Sequence, residues 1–92
     1  MQTTRERIAA HLREESATPS GLAAVVETTP DAAVDHVRHL ARSMEHDDVD
    51  LEVAPPACED CGFDGFDDPA NRPSRCPECN SESVTEPVFR IA

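Results

Sequence analysis

Two Cys-x2-Cys pairs, Cys58/Cys61 and Cys76/Cys79, stand fourteen residues apart in a chain of 92. No other feature restricts the fold as much. Two residues between cysteines let one tight turn aim both sulfurs at a common point. Two such turns supply four thiolates to a tetrahedral ion at about 2.3 Å. The positions after the pairs are Gly62 and Asn80, two of the residue types that best tolerate positive φ, and Pro77 stiffens the second turn. The chain needs such a staple. It has three Phe, two Met and neither Trp nor Tyr, and a domain this small commonly relies on a metal or on disulfides.

Zinc suits four thiolates best, and with four protein ligands no position is left for water. One structural ion and a non-enzymatic chain are therefore expected. Two other readings use the same sulfurs. Two disulfides would suit an oxidising compartment, but the N-terminal MQTTRERIAAHLREES has charges where a secretory signal needs its apolar stretch. An iron centre of rubredoxin type is the second, an electron carrier. Rubredoxins have a longer stretch between pairs and aromatic shelter for the iron, whereas Phe63, Phe66 and Phe89 are the only aromatics here. Asp60, Asp64, Asp67 and Asp68 lack the spacing of a calcium-binding EF-hand. His11, His36, His39 and His46 fall in the helical half or at its end and add no ligand to a closed site.

The charge is lopsided: 19 acidic residues against eight basic ones, all eight of them Arg, for a net charge of −11. Forming a tetrathiolate zinc site takes this to about −13. Such a surface fits adaptation to molar salt, where the Debye length falls to about 3 Å and self-repulsion is screened. Absence of Lys with Arg retained points the same way. No apolar run reaches the roughly 18 residues of a membrane span, so a cytoplasmic chain with no membrane partner is expected.

The chain divides near residue 50, giving expected domains at 1–49 and 50–92. The first part has no Cys and two of the eight Pro; the second has all four Cys and the other six Pro. Thr3 and Glu6 make a capping-box pattern ahead of a helix over 4–15, with Ile8 and Leu12 on one face. Thr18-Pro19 opens a second helix, Thr18 as N-cap and Pro19 at the first helical position. Glu27-Thr28 is the turn, and Thr29-Pro30 opens a third helix the same way. Its apolar stripe is Ala33, Val34, Val37, Leu40, Ala41 and Met44, and His46-Asp47-Asp48 ends it. A short helix joined tightly to a longer one is the helix-turn-helix arrangement; a plain three-helix bundle fits the pattern equally well. Leu51 and Val53 alternate with acids as one short strand, and Phe89 and Ile91 form another. The two are expected to pair antiparallel, since the metal segment between them needs its ends close.

TPSGLAAVVETTPDAAVDHVRHLARSM and PPACEDCGF…RPSRCPECNSESVTEPVFRIA together resemble an archaeal family of predicted transcriptional regulators, a helix-turn-helix domain fused to a zinc ribbon. The resemblance covers most of the chain and is most distinctive in its zinc half. It implies an α+β fold: a small winged-helix-like domain whose C-terminal four-cysteine ribbon is inserted between two short antiparallel strands. It also implies DNA as partner, with residues 30–45 as the recognition helix.

On that helix the outward residues are Asp31, Asp35, Arg38, His39 and Arg42. Arg38 and Arg42, one turn apart, suit phosphate or a guanine edge. Asp31 and Asp35 repel phosphate, although acids at a helix start also complement the macrodipole. Arg5, Arg7 and Arg13 form a second basic stripe on the first helix, and Arg72 and Arg75 lie in the ribbon loop. The DNA-contact set is therefore Arg38, Arg42, His39, Arg5 and Arg7. The alternative is a non-catalytic module that docks on a protein of the transcription or translation machinery; either reading allows a homodimer.

Overall fold

The computed structural model describes residues 3–45, 48–68, 70 and 73–92. His46, Asp47 and Arg72 of the sequence reading lie outside these residues.

Three helices form as the caps direct. Helix α1 spans Thr4–Glu14; the Thr3 hydroxyl accepts from the Glu6 amide while the Glu6 carboxylate accepts from the Thr3 amide. Helix α2 spans Pro19–Val26 and α3 spans Pro30–Ser43. Thr18 and Thr29 each accept from the amide three residues on, at 3.1 Å, so both Thr-Pro pairs act as the same start signal. Helix α3 is shorter than 30–45, because Met44 leaves the helical region and caps it.

Glu27 ends α2 in the left-handed conformation, φ 56 and ψ 51, with its amide donating to Ala23. A side chain there is strained, and glycine is the residue that such helix ends favour. Glu27→Gly should therefore raise stability by about 1 kcal/mol, read as a higher denaturation midpoint with an unchanged denaturant slope.

Strand β1, Leu51–Ala54, pairs antiparallel with β2, Val88–Ile91, with Leu51 opposite Ile91 and Val53 opposite Phe89. The sheet and the helices share one core. Phe89 and Ile91 are buried with Ile8, Leu12, Leu22, Val26, Ala33, Val37, Leu40 and Met44, and Leu51 and Val53 pack against them. Ala17, between α1 and α2, adds a third element. It exchanges both backbone hydrogen bonds with Phe89, at 3.0 and 2.8 Å, which leaves β2 in the middle of the sheet.

Beyond Ala54 and Val88 the ladder is interrupted, because Pro55, Pro56 and Pro87 have no amide hydrogen to donate. It then resumes in the same register. Thr85 donates to Ala57, Glu59 donates to Ser83, and Cys58 bridges Val84. The two strands thus run as one arm from the helical core to the cysteines. Ser20 ties the base of α2 to Glu86 on this arm at 2.7 Å. Among the described residues, no helix is long and apolar enough to cross a membrane.

Candidate metal centre

Two matching knuckles sit at the end of the arm. In the first, the Cys58 carbonyl accepts from the Gly62 amide at 2.9 Å and the Cys58 amide donates to the Phe63 carbonyl at 2.8 Å. In the second, Cys76, Asn80 and Ser81 repeat the pattern at the same two distances. Each turn closes through a residue of positive φ: 79° at Gly62 and 61° at Asn80. That conformation is what the sequence placed at these positions, and it reverses the chain tightly enough for both cysteines of a pair to face inward.

The four sulfurs converge, all within 4.8 Å of one another. Cys58 Sγ lies 3.6 Å from Cys79 Sγ, and Cys61 Sγ lies 3.6 Å from Cys76 Sγ. A zinc tetrahedron with bonds of about 2.3 Å has edges of about 3.8 Å, so the donor set fits the ion. Disulfides need sulfurs at about 2.05 Å, and all four cysteines are free thiols. The first cysteine of each knuckle is buried and the second exposed, so one half of the site faces the protein and the other faces solvent. When bound, zinc supplies cross-linking alone.

Backbone amides prepare the site for charge. Cys58 is pulled down to about 7, chiefly by the Cys61 amide at its sulfur, against burial and with help from the Asp60 amide and the neighbouring thiols. Cys79 receives the Ser81 amide, which lowers it. The crowding of Cys58, Cys61 and Cys76 together with burial outweighs that and pushes it up to about 12. Cys61 likewise has the Phe63 amide in its favour, yet burial and the Cys76 sulfur leave it raised. Four adjacent sulfurs cannot all ionise without a cation among them, which is the electrostatic demand that zinc meets.

The other singled-out residues are not gathered in one place. Arg38, His39 and Arg42 are exposed on α3, as are Asp31 and Asp35, while Val34, Val37 and Leu40 are buried. Arg38 forms an ion pair with Asp68 of the ribbon loop, and Ala70 of that loop packs against the core. The basic stripe expected on α1 is divided: Arg7 donates to the Val25 carbonyl at 3.1 Å, whereas Arg5 and Arg13 line a groove facing α3. Arg75 lies 3.9 Å from Glu82. Sequence reasoning did not find the Arg38–Asp68 contact, for which thirty intervening residues leave no local signal.

Three helices closed by a small sheet, with an arm ending in a tetrathiolate site, define a small α+β zinc-ribbon protein. The chain belongs to the PF0610-like family: residues 3–51 match the PF0610-like N-terminal domain, and residues 55–92 match the PF0610 rubredoxin-like zinc beta-ribbon domain. Protein PF0610 from Pyrococcus furiosus, whose solution NMR structure is known, is 30% identical, with 97% of this chain and 88% of that chain covered and a TM-score of 0.83. No curated protein matches the chain. The cofactor is thus one structural zinc ion.

Proposed function

We propose that the chain is a winged-helix DNA-binding regulator of transcription in which the zinc ribbon extends the wing. The observation that carries this reading is the Ala17–Phe89 bridge. It makes the order helix, bridge, helix, helix, strand, strand, with the last strand in the middle, and this is how a winged helix is laid out. In that layout α3 is the recognition helix, and its exposed cations are Arg38 and Arg42 beside His39. The acidic surface is compatible with DNA in molar salt, where repulsion is short-ranged; an archaeal, halophilic source and a cytoplasmic setting accord with it.

A second reading, docking on a protein of the transcription or translation machinery, is favoured by one contact. Asp68 holds Arg38, so a central cation of α3 is already neutralised, and Asp31 and Asp35 lie at the end of the helix that commonly meets base edges.

Duplex-binding titrations across a salt series separate the two. Arg42→Ala should weaken binding and, for a phosphate contact, reduce the salt slope by about one. Asp31→Asn with Asp35→Asn should tighten non-specific binding, most at low salt. If both variants match the parent at every salt concentration, α3 is not a reading helix and the docking reading takes its place.

A further inference from the structure

The groove between α1 and α3 serves neither the zinc site nor the outward face of α3. Its volume is about 760 Å³, within the roughly 300–1,000 Å³ of small-molecule sites. The gap has a local cause. Ala9 sits on α1 with Arg5 one turn before it and Arg13 one turn after, so a small side chain lies between two long cations. Leu40 and Met44 of α3 supply the apolar side.

Two cations without partners meet there. Arg7 is bound to a carbonyl, and Arg38, Arg75 and Arg90 each meet a carboxylate. Arg5, Arg13 and Arg42 have neither an ion-pair nor a hydrogen-bond partner among the described residues, although acidic residues outnumber basic ones by more than two to one; Arg42 is on the outward face of α3, whereas Arg5 and Arg13 flank the groove together. Glu6 is the one acid among the described lining residues, and its carboxylate is turned onto the Thr3 amide in the capping box. On the α3 wall, His36 has its Nδ1 buried with no hydrogen-bond partner. Two unpaired guanidiniums and an apolar floor, with His36 on the α3 wall, thus border the same space.

We propose that this groove binds a small anionic amphiphile, a carboxylate carried on a short apolar body. The guanidinium fork is matched to a carboxylate, and the body lies over Ala9, Leu40 and Met44. This inference does not depend on DNA binding. It adds a ligand site on the side of α3 opposite Arg38 and Arg42.

The test uses the zinc-loaded full chain with octanoate as probe, below its micelle-forming concentration, followed by backbone amide shifts. Saturable shifts should centre on Ala9, Arg13, Leu40 and Ser43. Octanol, of the same length without the charge, should bind about tenfold more weakly. Arg5→Ala with Arg13→Ala should cost octanoate about tenfold while leaving octanol unchanged; both residues are exposed, so the fold is retained, as an unchanged melting curve verifies. Equal binding of octanol and octanoate, parent-like octanoate binding by the double variant, or shifts centred away from the groove would each overturn the proposal.

Discussion

Stripping zinc from the chain, or replacing Cys76 by Ser, should collapse the ribbon and loosen the strands that lead to it. Structural zinc in small domains carries apparent binding energies of about 10–16 kcal/mol, comparable to the about 5–15 kcal/mol that holds a whole domain together. No redistribution of a core whose one aromatic ring is Phe89 can replace that. The order of loss follows from the arm. Amides of Cys58, Glu59, Cys76 and Thr85, whose ladder and knuckle bonds surround the sulfurs, should lose protection from hydrogen exchange first. The Phe89 amide, bonded to Ala17 inside the helical core, should be the last of the arm to exchange. Purified protein should hold one equivalent of zinc. Less than about half an equivalent, or amide protection unchanged after chelation, would refute the assignment.

The pH dependence of metal uptake has a definite sign. The raised thiols of Cys61 and Cys79 are protonated at neutral pH, so zinc must displace their protons, and affinity rises with pH. Cys58, lowered to about 7, ionises more readily than either of these. Acidification through this range should therefore weaken zinc binding, with protons released to the buffer on each binding event.

Phe89→Ala should be the most damaging single change outside the cysteines. Phe89 is fully buried at the centre of the sheet, opposite Val53 and bridged to Ala17, in the cluster that includes Ile8, Leu12 and Leu22. Truncating such a ring costs about 3–5 kcal/mol, a large share of the stability of a domain this small. Phe66→Ala is the matched control. That ring meets Phe63 edge-on with centroids 5.0 Å apart, on the ribbon loop and only half-buried, so its loss should cost well under half as much. Denaturant unfolding of the zinc-loaded variants, read by helical circular dichroism, measures both. Equal losses would mean that the ribbon loop, and not β2, closes the core.

Most of the local structure could be read before any coordinates. Thr3 with Glu6, Thr18-Pro19 and Thr29-Pro30 begin helices where the capping chemistry requires, because a cap acts over three or four residues and is written in adjacent letters. Gly62 and Asn80 have positive φ because a Cys-x2-Cys turn demands it at that offset. Leu51, Val53, Phe89 and Ile91 lie in strands because alternation assigns each side chain to a face, and the sulfur tetrahedron follows from spacing and valence.

The tertiary structure decided everything that joins distant segments. Ala17 lies between two helices, and a single residue has no periodicity to mark it as the third element of a sheet. Pro55, Pro56 and Pro87 interrupt the ladder, yet the register carries through them, since missing hydrogen bonds break a ladder without shifting it. Three arginines read as one stripe on α1 are divided between α2 and the groove, and Arg38 is joined to Asp68. These pairings depend on which surfaces packing brings within a few ångströms, whereas caps, turns and alternation act on neighbours that the covalent chain already holds together.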